Sequence, residues 1–212
     1  MTKVFILGAG GFGREILDIF DELGRFNDVL GFLDEDPEIK GKEVNGKIVY
    51  PISKLEEYSP NELKLACGIG IPGKNRTKVI EKTKKMGFEY ETIIHPSVIK
   101  SKWSQFGEGC IVCAGSVLTT QVKIGNFSIV NYGCTVGHDV VIGNYTTLSP
   151  GAHISGHVSI GNECFIGTGA VTVQQVDIGN NSIIGAGAVV SKSIPDFALA
   201  VGVPAKVIKN LK

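Results

Sequence analysis

Between Ile94 and Val190 the chain is aliphatic or aromatic at almost every sixth residue. The series includes Phe106, Val112, Leu118, Ile124, Val130, Val136, Ile142, Leu148, Ile154, Ile160, Ile166, Ile178 and Ile184, and only Lys100 and Thr172 interrupt it with polar side chains. Four residues after each member comes a small or apolar one, from Val98 and Cys110 through Cys134, Ala152 and Cys164 to Ala188 and Ile194. A fixed period held over about a hundred residues is the mark of a solenoid. In an extended segment alternate side chains face opposite ways, so the fourth and sixth positions point inward and the one between them points out. The other three residues turn a corner, where glycine and asparagine supply positive φ. Ile124-Gly125-Asn126, Ile142-Gly143-Asn144, Ile160-Gly161-Asn162 and Ile178-Gly179-Asn180 add a second period of eighteen. Three hexads therefore make one coil of triangular section, and each coil adds a rung of about 4.8 Å.

Residues 1–88 follow another pattern. Val4–Leu7 and Val29–Leu33 read as strands, as does the segment from Leu63 to Gly68. Helical spacing of apolar residues runs from Arg14 to Leu23, and a second helix runs from about Thr77 to Met86, with Gly87 as its stop. This order predicts an α/β, Rossmann-like β-α-β domain with a parallel sheet. The expected organisation is thus a Rossmann-like domain over 1–88, an all-β parallel β-helix over 94–195 and a short C-terminal tail over 196–212.

Lys and Arg number 21, as do Asp and Glu, so charge gives no reason to expect a nucleic-acid partner. No apolar run is long enough to span a bilayer and no secretory signal is visible, which predicts a cytoplasmic protein without membrane insertion. Five cysteines, an odd number, argue against a disulfide framework. Cys110 and Cys113 form a C-x-x-C with no second pair to complete a zinc site. Cys110, Cys134 and Cys164 fall on an inward track and read as small buried residues.

In the first domain, Gly8-Ala9-Gly10-Gly11-Phe12-Gly13 follows a strand and opens a helix, and Asp34 ends the next strand. That arrangement suits a phosphate group at a helix N-terminus. The domain is short for a two-half dinucleotide fold, so a nucleotide-sugar site fits it better. Gly10, Gly11, Phe12 and Gly13 would meet the diphosphate, and Asp34 and Glu35 the ribose or base. Gly70 and Arg76 complete that candidate set, Arg76 supporting a phosphate or else facing solvent. In the second domain His138 lies two residues after Val136, on a corner, with Asp139 beside it. Histidine titrates near neutrality and is suited to accepting a proton. Asp139 plus eighteen is His157, which predicts that the two stack on one corner, one rung apart. No metal is expected, because His138, His153 and His157 occupy corner and face positions that do not converge within one chain. His95 precedes Pro96 at the domain junction, where a structural role is expected.

The hexad run resembles the left-handed β-helix of hexapeptide-repeat acyltransferases. With the first domain, the chain resembles the sialic-acid and bacterial amino-sugar acetyltransferase group, which acts on nucleotide-linked sugars. The matching motifs are Gly8-Ala9-Gly10-Gly11-Phe12-Gly13, Asn131 with Gly137-His138-Asp139-Val140-Val141-Ile142-Gly143, and Gly202-Val203-Pro204-Ala205-Lys206. Phe12 and Thr147 stand where relatives can carry histidine. The resemblance implies acetyl-CoA as acyl donor and a homotrimer with active sites between subunits. It implies His138 as general base, supported by Asp139, and a cofactor groove containing Thr147, Gly156, Thr168, Ala186 and Lys206. Asn131 is the candidate for holding the sugar's reactive group. The implied reaction is direct N-acetylation of a nucleotide-linked amino sugar. O-acetylation of sialic acid or a related sugar is the alternative enzyme, and a non-catalytic sugar-binding β-solenoid is the alternative outside catalysis.

Overall fold

The structure is a computed structural model that describes residues 2–212; Met1 lies outside the described residues. Two compact units account for it, one made of residues up to Gly70 with Lys74–Thr92, the other of Ile71–Gly73 with Ile93–Lys212.

In the first unit five strands form one sheet. β1 (Lys3–Leu7) lies between β2 (Val29–Leu33) and the edge strand β5 (Leu63–Cys67), both parallel to it. β4 (Lys47–Tyr50) pairs in parallel with β2, and β3 (Glu43–Val44) closes the edge as its antiparallel hairpin partner. The expected β-α-β path is present, while the β3–β4 hairpin went unseen in the sequence. Its strands are too short for a period of two to register, and its sharp turn, Asn45-Gly46, is the signal that could have located it. Helix α1 (Gly11–Glu22) buries Ile16, Leu17, Ile19 and Phe20, one stripe at helical spacing. Helix α2 (Lys74–Lys85) starts earlier than the apolar pattern shows, since its first turn is polar. Gly87 ends it in a left-handed conformation (φ 95°), donating its N–H to the Lys84 carbonyl at 2.9 Å.

In the second unit, hexads stack in register every eighteen residues, as in the ladder Ile111–Ile129–Thr147–Phe165–Ile183. The result is three parallel sheets, of eight, six and five strands. The eight-stranded sheet includes two strands from the C-terminal end: Ala198–Val201 continues the stack, and Lys206–Asn210 returns antiparallel to it. Both inward series are buried from Val112 to Val190, and together they form one continuous core.

The corners explain the eighteen-residue signature. Asn144, Asn162 and Asn180 each accept, through Oδ1, the backbone N–H of the asparagine one rung earlier: Asn126 donates to Asn144 at 2.8 Å, Asn144 to Asn162 at 2.8 Å and Asn162 to Asn180 at 2.9 Å. The glycine before each asparagine is needed because the next rung passes too close for a side chain. A Cβ on Gly143 would sit 2.6 Å from the Gly161 carbonyl carbon. Polar members of the inward track are also partnered. Ser128 and Thr146 each donate to the carbonyl fifteen residues on, at 2.7 Å, and the Cys164 thiol does the same toward Gly179 at 3.0 Å. The buried cysteines therefore serve as weak donors as well as small core residues. Burial pushes the Cys134 thiol up to about 11 and the Cys164 thiol upward too. Since only a thiolate reacts, a disulfide reagent at mildly alkaline pH is expected to leave all five buried cysteines untouched in the native protein and to titrate all five after denaturation.

Candidate active site

The corner after Val136 holds the candidate catalytic pair. His138 Nδ1 lies 2.9 Å from Asp139 Oδ2, and both side chains are exposed, at 46% and 43%. An ionised carboxylate can only accept, so in the neutral ring this contact places the proton on Nδ1 and leaves the lone pair on Nε2. Nε2 and its neighbouring ring atoms lie over Gly156, the residue one rung later. A Cβ there would come within 2.6 Å of Nε2 and 2.7 Å of Cε1. Gly156 is therefore a platform for the imidazole, and its lack of a side chain sets where the ring rests.

The backbone holds this corner firmly. Asp139 and His157 both adopt left-handed conformations, with φ of 59° and 57°. Asp139 donates its N–H to the Thr120 carbonyl at 3.1 Å, and His157 donates to the His138 carbonyl at 2.9 Å. His157 stacks beside Asp139 as the eighteen-residue register predicts, with Nε2 3.8 Å from Asp139 Oδ2. Its ring meets that of His138 edge to face, centroids 4.9 Å apart. His153 stands elsewhere, on the outward face of a strand, with Nδ1 2.8 Å from Thr135 Oγ1. His95 is buried and accepts the Ser97 N–H at Nδ1, 3.0 Å away.

An imidazole oriented by one carboxylate loses that orientation when the acceptor becomes an amide. Asp139→Asn is expected to lower turnover about 10- to 100-fold, the usual cost of removing a partner that orients a working histidine. The thermal midpoint should not move, because the side chain is exposed. Steady-state kinetics beside a thermal scan checks both.

The other expected residues of this unit divide into separate places. Thr168 and Ala186 are exposed at one corner, stacked one rung apart, and Asn131 lies on the same edge two rungs earlier. His138, Asp139, Gly156 and His157 lie on the opposite edge of the six-stranded sheet, so one chain does not bring the two groups together. Asn131 accepts the Tyr132 N–H through Oδ1 at 2.8 Å. Thr147 is buried, 3% exposed, and its side chain is not on open surface. Lys206 is exposed on the final strand.

In the first unit the glycine-rich turn divides by purpose. Gly13 packs against the turn that follows β1 so closely that a Cβ would overlap the Gly8 carbonyl oxygen. Gly10 and Gly11 are exposed, and a Cβ at either would have no protein atom nearer than 4.0 Å, so packing does not require them. Their openness, at the start of α1, is what a ligand approaching the backbone needs. Asp34 secures the surrounding loops. Its Oδ2 accepts the Ala9 N–H at 2.9 Å and its Oδ1 the Asp36 N–H at 3.0 Å. Glu35 accepts the Ile52 N–H at 2.9 Å. Phe12 is half-buried, its ring beside Gly70, and Arg76 is buried within α2.

A triangular parallel β-helix with a carboxylate-held histidine on an exposed corner is the architecture expected of a hexapeptide-repeat transferase, and similarity to known proteins shows the family. Residues 3–83 match the family described as the PglD N-terminal domain. Residues 139–174 and 157–192 match the bacterial transferase hexapeptide family. The acetyltransferase domain of PglB from Neisseria gonorrhoeae is 34% identical, with a TM-score of 0.90 over 98% of this chain and 100% of that one. A mutant of perosamine N-acetyltransferase from Caulobacter crescentus, solved with CoA and GDP-perosamine, is 33% identical, with a TM-score of 0.89 over 99% and 98%. WeeI from Acinetobacter baumannii is 29% identical, with a TM-score of 0.90 over 98% and 100%. No match was found among curated protein sequences. The chain belongs to the hexapeptide-repeat, left-handed β-helix sugar acetyltransferases, in the bacterial nucleotide-amino-sugar group. Among the described residues no helix is long and apolar enough to cross a membrane.

Proposed function

We propose that this enzyme transfers an acetyl group from acetyl-CoA to the amino group of a nucleotide-linked amino sugar in the cytoplasm. The observation that carries the reading is the His138–Asp139 pair, which leaves Nε2 with a free lone pair on an exposed corner. Neighbours of like fold support the substrate classes: the perosamine N-acetyltransferase was solved with CoA and GDP-perosamine, and the PglB domain with acetyl-CoA.

The reaction follows from that arrangement. The sugar amine attacks the thioester carbonyl while His138 Nε2 takes its proton. The new C–N bond forms, the C–S bond breaks, and the imidazolium returns the proton to the departing sulfur. Asp139 stabilises the imidazolium between the two transfers. No cysteine nucleophile takes part, since all five are buried.

The separation of the Asn131–Thr168–Ala186 edge from the His138 edge supports a trimer. A neighbouring copy would bring its own Thr168–Ala186 edge beside this His138, and the pantetheine arm would run along that stacked track. Lys206 would lie toward the CoA phosphates. In the first unit the diphosphate would meet the open backbone of Gly10 and Gly11, and Gly70 and the buried Arg76 complete the candidate set. Asp34 and Glu35 would then act through the shape of the loops they hold.

N-acetylation is tested on the product. An amide-linked acetyl group survives hydroxylamine, whereas an ester is cleaved. A hydroxylamine-stable product acetylated at nitrogen by NMR is expected, and a labile one would transfer the assignment to O-acetylation.

A further inference from the structure

We infer that His138, Asp139 and His157 form a binding site for a divalent transition metal of the zinc type. The sequence set aside a metal site because His138, His153 and His157 do not converge, and the structure ties His153 to Thr135 on another face. Asp139 takes the third place instead. One donor atom from each of the three residues lies within 4.8 Å of the other two. Zinc held by nitrogen and oxygen at about 2.0–2.1 Å places adjacent tetrahedral ligands about 3.3 Å apart. The two observed edges, 2.9 Å from His138 Nδ1 to Asp139 Oδ2 and 3.8 Å from His157 Nε2 to the same oxygen, lie on either side of that value.

Three further features favour capture of an ion. Two imidazoles and a carboxylate are donors of the borderline class that zinc, nickel and copper(II) prefer. The residues are exposed, so an ion can enter and keep water in its remaining position. The backbone of both rungs is fixed by hydrogen bonds, and Gly156 backs the His138 ring, so that ring gives up little freedom on binding.

Occupancy has a chemical consequence. A metal on Nδ1 displaces the proton that Asp139 accepts, and a neutral imidazole then carries its one proton on Nε2. That nitrogen has no lone pair left for a substrate amine. The consequence rests on His138 being the base, so metal occupancy and acetyl transfer exclude one another only if the proposed function holds. Binding itself does not depend on that reading.

The test is calorimetric titration of zinc chloride into the full-length resting enzyme, with no CoA present to chelate the ion. Wild type is expected to bind one zinc per chain. His157→Asn should weaken binding at least about tenfold, since loss of an orienting partner alone costs a metal site about that much. His153→Asn should bind as wild type does. Thermal scans confirm that each variant is folded. Equal binding by wild type and His157→Asn, or binding by neither, overturns the site. Zinc binding that requires His157 but leaves product formation intact would uphold the site and remove His138 as the base.

Discussion

The His138→Ala enzyme is expected to turn over about 10^2- to 10^4-fold more slowly than wild type, the range typical of a lost general base. The side chain is about half exposed and lies outside the core, so its removal leaves the fold unstrained. KM for acetyl-CoA should stay within a small factor, because the imidazole handles a proton that moves only as the amine attacks. A loss confined to kcat is therefore the signature. Equal changes in KM and kcat would mean that His138 binds substrate.

Two glycine substitutions should separate the catalytic corner from the scaffold. At Gly156 the added methyl meets the His138 ring, a side chain that can rotate away. Gly156→Ala is thus expected to keep its thermal midpoint and to lose turnover nearly as far as His138→Ala does. At Gly143 the methyl meets backbone of the next rung, which is held by hydrogen bonds on both sides and cannot yield. Gly143→Ala should destabilise by about 1–3 kcal/mol or more, as overpacking does, and its per-molecule activity should survive where the fold does. Thermal melts paired with kcat on the two variants read the contrast directly.

The β-helix was legible in the sequence because a solenoid repeats one local rule, and each hexad offers an independent reading of it. Thr172 breaks the aliphatic series but is buried like its neighbours, and its hydroxyl meets the Ser155 N–H at 3.0 Å. The same register foresaw His157 beside Asp139. Gly156 as the seat of the imidazole was within reach of that arithmetic, being eighteen residues after His138. Family resemblance instead assigns Gly156 to the cofactor groove and says nothing of the ring above it. Period does not reveal side-chain choice in irregular loops. Asp34 looks like a ribose ligand by position, yet its carboxylate secures the turn above β1. The convergence of His138, Asp139 and His157 also depends on rotamers, which spacing does not specify.

The decisive experiment follows thiol release from acetyl-CoA against UDP-, dTDP- and GDP-linked 4-amino sugars and free sialic acid. Turnover on a nucleotide-linked amino sugar, lost in His138→Ala, is expected. Turnover on sialic acid alone, or on an amino sugar at an undiminished rate in His138→Ala, would contradict the assignment of His138 as the base of a nucleotide-amino-sugar N-acetyltransferase.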